Sequence, residues 1–334
     1  MTGLHIGVLA LQGAFHEHIL LLRQSAATLG AEPTYASLHF TFSEVRTAEQ
    51  LSICDALILP GGESTTMSLV AARSNLLEPL RGFVKIKRKP VWGTCAGLIL
   101  LAESANRTKR SGQELIGGLD VRVNRNHFGR QTESFEAELD LPFLQKDSPS
   151  AKINTKFRSV FIRAPVVEQI LEPRHGIQEE QASLADTVVA PSKSPDDKRY
   201  QVIGMPVEIM ARLPGRARAI KNPEIIAEDL GEDGDIVAVR QGNVFATSFH
   251  PELTGDARIH VWWLRQILKE HGLDCVCVPS SLQRRISTRT QQRDRAECRQ
   301  RIRISLVSPH RGPAAATGIL GHNSDTDPCQ RWIA

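Results

Sequence analysis

The chain has 334 residues, of which 41% are hydrophobic and 23% are charged. This composition supports a substantial buried core and excludes a globally disordered chain. The formal net charge is +4, but residues 275–334 hold ten arginines and four acidic residues, so residues 1–274 carry a net charge of −2 and give no sign of a nucleic-acid surface.

Strands and helices alternate through the first third of the chain. Short apolar runs predict buried strands at Ile6–Leu11, Ala56–Leu59 and Pro90–Gly93. Helical spacing of apolar residues follows each run, with one helix from Phe15 to a stop at Gly30 and another beginning at Ala96. This alternation predicts an α/β fold, a mostly parallel sheet flanked by helices in three layers. Such sheets place their sites at the carboxyl ends of strands.

The remaining sequence is less regular. Further strands are predicted within 117–140 and 157–167 and at Ile236–Val239 and Val244–Phe249, with a last helix over Ala257–Lys269. Residues 168–200 are polar and weakly periodic, so we predict a surface insertion there. Residues 273–334 are Arg-rich and lack sustained apolar periodicity. We therefore predict one domain over 1–272 and a disordered tail over 273–334.

A G-x-C-x-G pattern, Gly93-Thr94-Cys95-Ala96-Gly97, lies between the third predicted strand and its helix. A lone cysteine is more often a buried core residue. Glycines on both sides at a strand-to-helix turn favour a nucleophile elbow, which exposes the thiol at a helix N-terminus where thiolate is favoured. A free thiol has a pKa of ~8.5 and is mostly protonated at neutral pH, so this chemistry needs a base.

A base is available where the strand at Val244–Phe249 ends in His250-Pro251-Glu252. His250 can act as general base and then as general acid, and Glu252 can orient the imidazole and stabilise its cation. A histidine at a strand end is usually structural. Its combination with the Cys95 elbow favours a Cys-His-Glu triad.

An oxyanion site is the third requirement for acyl transfer from an amide. Pro60-Gly61-Gly62-Glu63-Ser64 follows the second predicted strand. The backbone N–H of Gly62 and that of Ala96 are the predicted oxyanion donors. An ordinary loop with Ser64 as helix N-cap is the simpler interpretation, and both can hold together.

The cysteine distribution and the N-terminus predict the compartment. Two cysteines, Cys54 and Cys95, lie in the body and four lie in the tail, which is not the pattern of a secreted disulfide framework. The first residues lack the features of a signal peptide, and no apolar run approaches the ~18 residues needed to span a bilayer. A cytoplasmic location without membrane association is predicted.

Five segments in order over residues 5–270 carry a family resemblance. They are Leu11–His18, Pro60–Thr66, Arg125–Gln131, Phe161–Pro165 and His250–Leu253. Together they resemble class I glutamine amidotransferases, and within that group the glutaminase subunit of pyridoxal 5'-phosphate synthase. The resemblance implies a flavodoxin-like fold and hydrolysis of L-glutamine to L-glutamate and ammonia by Cys95, His250 and Glu252.

The resemblance also implies further contacts. Glutamine would contact Gly62, Glu63, Ser64, Arg125, Ile162 and Arg163. Arginine suits the substrate carboxylate, although a surface ion pair is the simpler interpretation of an isolated arginine. A (β/α)₈ synthase subunit would receive the ammonia for pyridoxal phosphate synthesis in a hetero-oligomer, with Gln12, Glu17 and His18 at the interface. No cofactor and no metal are implied in this subunit.

Several alternatives stay open at this point. Extra residues at 168–200 and around 212–235 resemble insertions of eukaryotic, especially fungal, members of the family. Another amidotransferase pathway would use the same triad, although the Leu11–His18 and Arg125–Gln131 segments argue against it. A related cysteine hydrolase or chaperone does not need the His-Pro-Glu pattern. A non-catalytic regulatory subunit does not need an intact triad.

Overall fold

A computed structural model of the chain describes residues 3–107, 113–125, 134–146, 154–174, 176–192, 205–214 and 234–273. The predicted tail, except residue 273, and the segment Asn126–Gln131 lie outside these residues. So do residues 193–200 of the predicted insertion and most of 212–235.

The described strands are β1 (Gly3–Leu9), β2 (His39–Val45), β3 (Ala56–Leu59), β4 (Val91–Thr94), β5 (Ala102–Asn106), β6 (Leu119–Asn124), β7 (Ser134–Asp140), β8 (Lys156–Ile162), β9 (Val166–Ile170), β10 (Thr187–Val189), β11 (Glu208–Leu213), β12 (Asp235–Gln241) and β13 (Val244–Thr247). The described α-helices are α1 (Phe15–Gly30), α2 (Ala48–Ser52), α3 (Ser64–Arg73), α4 (Leu77–Arg81), α5 (Ala96–Leu101), α6 (Phe143–Lys146), α7 (Glu179–Ala182) and α8 (Arg258–Glu270). A π-helical turn spans Gly82–Ile86, and a 3₁₀ turn spans Pro251–Leu253. No helix among the described residues is long and apolar enough to cross a membrane.

One large sheet organises the described chain. Its strand order is β10-β5-β6-β9-β12-β13-β4-β3-β1-β2, with β11 paired to β12, and β7 and β8 form a separate hairpin. The stretch β2-β1-β3-β4-β13 is parallel throughout. Strand β12 pairs antiparallel with β13 and begins an extension that also contains antiparallel pairs. The predicted α/β class is confirmed.

Alternate residues of the central strands supply two cores, one on each face of the sheet. Leu57 and Leu59 of β3 join a cluster with α3, α4 and α5, whereas Ile58 joins a cluster with α1 and α8. Because strand side chains alternate between faces, a four-residue apolar strand such as β3 fits a sheet covered on both sides. The helices on both faces produce the predicted three layers.

Part of the predicted insertion contributes to the sheet. Within residues 168–192, α7 is followed by β10, which pairs antiparallel with β5 at the end of the strand order. The Ser104 hydroxyl donates a hydrogen bond to Gln181 on α7 over 3.0 Å. This region therefore packs on the edge of the sheet, while its identity as an insertion stays a prediction.

Candidate active site

Cys95 lies in a sharp turn between β4 and α5. Its backbone has φ 48° and ψ −98°, in the positive-φ region that a residue with a side chain rarely adopts. A Cβ on Gly93 would lie 2.6 Å from the backbone carbon of Gly97, so a residue other than glycine there would force the two ends of the turn apart. The elbow predicted from the Gly-x-Cys-x-Gly spacing is present.

The next strand in the sheet brings His250 to this turn. Strands β13 and β4 are parallel, and the Cys95 N–H donates to the Thr247 carbonyl over 2.8 Å. Three residues after Thr247, the His250 N–H donates to the Val160 carbonyl over 2.8 Å, which fixes the backbone that carries the imidazole. The two carboxyl ends of these neighbouring strands thus hold Cys95 and His250 together.

His250 interacts with partners on two sides. Its Nδ1 lies 2.7 Å from Glu252 Oε1, and its side chain also interacts with that of Cys95. Burial lowers the pKa of His250, but the interactions with Cys95 and Glu252 outweigh burial and raise it to about 10. The imidazole is therefore protonated at neutral pH and can donate a proton to a leaving group.

Glu252 is a buried carboxylate with a 4% exposed surface. Burial acts to raise its pKa, yet the nearby His18 and the hydrogen bond and charge of His250 lower it overall. Glu252 therefore stays ionised and holds the Nδ1–H tautomer of His250. Cys95, His250 and Glu252 have the geometry of a nucleophile, a base and an orienting carboxylate.

The Gly61-Gly62 turn faces the imidazole. A Cβ on Gly61 would lie 2.6 Å from His250 Nδ1, so glycine permits this close approach. The Gln12 side chain lies on the other side of the turn, where its Oε1 accepts a hydrogen bond from the Glu63 N–H over 2.7 Å. The loop predicted to supply the oxyanion donor is thus packed between His250 and Gln12.

Glu63, not Ser64, caps helix α3. The Glu63 carboxylate accepts hydrogen bonds from the N–H groups of Thr65 and Thr66 over 3.1 and 2.7 Å. Burial raises its pKa, but these bonds and those of the threonine side chains lower it overall. The interpretation of Ser64 as the N-cap is therefore wrong, because Ser64 is the first residue of the helix and the longer Glu63 side chain folds back onto it.

Arg125 is buried, with 6% of its surface exposed, beside the same loop. Its guanidinium contacts the Gln113 side-chain oxygen, which also accepts a hydrogen bond from Thr65 over 3.0 Å. Burial lowers the pKa of Arg125 to about 10, although the charge of Glu63 opposes this shift. A buried cation at this position suits a carboxylate ligand.

Ile162 is the last residue of β8, and Arg163 follows it. The Cys95 Sγ is 3.9 Å from the Ile162 carbonyl oxygen. Arg163 is exposed and has φ 45°, a second non-glycine residue in the positive-φ region. The structure therefore brings the Ile162 carbonyl near the thiol, and Arg163 is the next residue along the chain.

The three residues predicted at a partner interface differ in exposure. Gln12 is partly buried and Glu17 is exposed, but His18 is fully buried at 0% exposure. A side chain in the interior cannot contact another chain, so the interface prediction is wrong for His18. Its ring instead points to Glu252 because α1 packs its inner face on the sheet beneath the triad.

Three further side chains at the site were not predicted. They are Thr94, Gln113 and His260. The His260 Nε2 atom lies 2.9 Å from His18 Nδ1. A histidine among apolar residues of an amphipathic helix reads as an ordinary core residue, so no sequence signal distinguished His260.

An elbow cysteine beside an imidazole that is held by a buried carboxylate defines a cysteine-nucleophile amide hydrolase or acyl transferase. Within that class, the chain belongs to the SNO glutamine amidotransferase family, whose profile matches residues 8–195 and 207–269. The predicted family and fold are confirmed.

Individual relatives agree with this assignment. A protein of Arabidopsis thaliana, named probable pyridoxal 5'-phosphate synthase subunit PDX2, is 42% identical over 78% of this chain and 84% of its own length. Pyridoxal 5'-phosphate synthase subunit PdxT of Streptomyces coelicolor is 39% identical over 76% of this chain and 89% of its own length. A glutamine amidotransferase crystal structure is 33% identical, covers 78% of this chain and 98% of its own, and superposes with a TM-score of 0.51.

Proposed function

We propose that the chain hydrolyses L-glutamine to L-glutamate and ammonia, with Cys95, His250 and Glu252 as its catalytic triad. The observation that carries this proposal is that adjacent strands β4 and β13 hold Cys95 beside His250, whose Nδ1 lies 2.7 Å from Glu252 Oε1. Family membership supplies the substrate class.

The reaction proceeds through a thioester. Cys95 Sγ attacks the side-chain amide carbon of glutamine, and the N–H groups of Gly62 and Ala96 donate to the resulting oxyanion. His250 gives its Nε2 proton to the departing nitrogen, which leaves as ammonia. The neutral imidazole then removes a proton from water, which attacks the γ-glutamyl thioester and releases glutamate.

The other ends of the substrate need their own partners. The buried guanidinium of Arg125 suits the α-carboxylate, and its proximity to Glu63 places opposite charges side by side for an amino acid zwitterion. Ser64 and the backbone around Ile162 and Arg163 complete the predicted contacts at the mouth of the site. Glutamine would thus lie with its side-chain amide toward Cys95 and its charged end toward the Glu63 loop.

The ammonia has an acceptor in the same proposal. The plant and bacterial relatives are named subunits of pyridoxal 5'-phosphate synthase, so this chain is proposed to deliver ammonia to a (β/α)₈ synthase subunit in a hetero-oligomer. Gln12, which is hydrogen-bonded to the Glu63 loop, and the exposed Glu17 are the proposed interface residues. A reducing compartment such as the cytoplasm fits a mechanism that needs Cys95 as a free thiol.

The test is glutamate release from L-glutamine by the full chain, with and without a pyridoxal 5'-phosphate synthase subunit. Cys95→Ala is expected to abolish release because the thioester cannot form. Turnover in Cys95→Ala equal to that of the wild type would refute the mechanism. A synthase subunit from another amidotransferase pathway is the matched control, and equal stimulation by it would refute the proposed acceptor.

A further inference from the structure

Behind the triad, buried polar side chains continue the series of contacts into the core. His18 Nε2 lies 3.4 Å from Glu252 Oε2 and 3.3 Å from Thr94 Oγ1. On the far side of the ring, His18 Nδ1 lies 2.9 Å from His260 Nε2. His18 on α1 and His260 on α8 are both 0% exposed, so two imidazoles lie in the interior. Burying them costs desolvation free energy that apolar side chains at the same positions would not.

The Glu252 carboxylate needs this contact. Its Oε1 is occupied by His250 Nδ1 at 2.7 Å. Its Oε2 makes no hydrogen bond among the described residues, and the His18 ring nitrogen, 3.4 Å away, is a polar group that faces it. A buried ionised oxygen without a donor carries a large desolvation cost. The N–H of His18 therefore stabilises the folded state most when it points to Oε2.

The neighbouring groups then determine where each proton lies. Burial lowers the pKa of both His18 and His260 to about 3, so each ring is neutral and carries one proton. With the His18 proton on Nε2, its Nδ1 accepts from His260 Nε2–H. The remaining nitrogen, His260 Nδ1, is then an acceptor, and it is indeed the ring atom without a partner among the described residues. An unpaired acceptor is less costly than an unpaired buried N–H.

We propose that His18 is a positioning residue for the glutaminase reaction, donating from Nε2 to Glu252 Oε2, and that His260 fixes the tautomer that makes this donation possible. The inference rests on the proposed function. His18 does not contact the thiol; it acts by holding the Glu252 carboxylate in the plane that directs Oε1 to His250. The series of donors runs from His260 to His18 and from His18 to Glu252, and Glu252 also accepts a hydrogen bond from His250 Nδ1–H.

The decisive measurement is turnover per intact active site in the full chain with its synthase partner. A chloroketone analogue of glutamine that alkylates Cys95 counts the intact sites by mass. His18→Leu is expected to lower kcat per labelled site by roughly tenfold or more, the usual scale for loss of a residue that orients a catalytic group, with KM little changed. His18→Gln, whose side-chain amide can donate from the position of Nε2, is expected to recover most of that loss.

Ser25→Ala is the matched control. Ser25 is buried on the same helix, and its hydroxyl donates to the Leu21 and Ala257 carbonyls without touching Glu252. It is expected to keep kcat per labelled site. Unchanged kcat per site in His18→Leu, or an equal loss in Ser25→Ala, would overturn the proposal.

A second readout does not depend on activity. Nitrogen-15 NMR of the histidine rings is expected to show the Nε2–H tautomer for both His18 and His260 at neutral pH. An Nδ1–H tautomer at His18 would overturn the inference even if the enzyme is active. An inactive wild-type complex with the expected tautomers would instead count against the proposed function alone.

Discussion

Single residues beneath the triad connect its chemistry to the stability of the fold. His18 and His260 are enclosed by α1, α8 and the sheet, and His260 packs against the Trp92 ring with centroids 4.7 Å apart. Neutral imidazoles in such a place couple unfolding to proton uptake, since the unfolded chain binds protons that the folded chain excludes.

We expect stability to fall on acidification, and His260→Phe to weaken that fall. The pKa of His260 is about 3 in the folded chain and near 6.5 when unfolded. Below pH 6.5 the unfolded state gains the proton first, so this residue costs about 1.4 kcal/mol per pH unit until the pH approaches 3. Urea unfolding from about pH 8 to about pH 4 measures the slope. The control is His39→Gln at an exposed position, which should keep the wild-type slope of unfolding free energy against pH. The same slope in His260→Phe as in the wild type would contradict a buried, neutral His260.

Glu252→Gln is expected to lower kcat by ~10²–10⁴-fold, because a neutral amide neither stabilises the imidazolium nor enforces its Nδ1–H tautomer. The pKa of His250 should also fall, since the charge of Glu252 helps to raise it to about 10. Glutaminase assays and titration of the His250 ring by NMR measure the two effects. Full activity in this variant would contradict the triad and favour a hydrolase that needs only cysteine and histidine.

At the scale of elements, the turn between β4 and α5 is held by contacts that only glycine permits. A Cβ on Gly97 would overlap the Leu59 carbonyl and lie 3.0 Å from the Leu59 Cβ. Strand β3 and the start of α5 thus approach more closely than two ordinary residues allow. The strain at Cys95 is maintained because both neighbouring strands fix the backbone around it.

Gly97→Ala is therefore expected to destabilise the chain by about 1–3 kcal/mol and to reduce labelling of Cys95, since the added methyl must displace β3 or the elbow. Denaturant unfolding and chloroketone labelling measure the two effects. Gly82→Ala is the control: its Cβ would meet nothing within 4 Å and its φ is −61°, so it should leave stability unchanged or increase it by ~0.5–1 kcal/mol. Equal effects of both substitutions would argue against a steric cause.

At the scale of the whole molecule, the described residues from β1 to α8 contain both cores and every proposed catalytic group. Residues 1–276 form one compact unit, and the family match ends at residue 269. Helix α8 closes the cluster that includes α1 and Trp92, so the last described helix is also part of the support for the site.

We expect a chain that ends at residue 276 to keep its unfolding free energy and its partner-dependent glutaminase activity, because this unit includes both cores. Thermal unfolding and glutamate release, compared with the full chain, measure this. Ending the chain at residue 257, which removes α8 and its buried Trp262 and Trp263, is the contrasting variant and should not fold. Loss of activity on removal of residues 277–334 alone would contradict the predicted domain boundary.

The sequence by itself determined the α/β class, most strands of the parallel stretch, the elbow at Cys95 and the His250–Glu252 pair. These features have local causes: a short apolar run fits a buried strand, and a Gly-x-Cys-x-Gly turn requires its glycines. Strands β2, β5, β10 and β11 were not predicted. Six of the seven residues of β2 are not fully buried and β10 is only three residues long, so neither forms a long buried apolar run.

Only the tertiary structure decided what surrounds the triad. Glu63 replaced Ser64 as the helix cap because its carboxylate reaches two backbone N–H groups. His18 moved from a predicted interface to the interior because α1 packs that side chain against Glu252, 234 positions later in the chain. The local sequence determines which catalytic side chains the chain contains and which turns can carry them. Contact between distant helices, and hence the environment of a buried carboxylate, arises only when the sheet and its layers assemble.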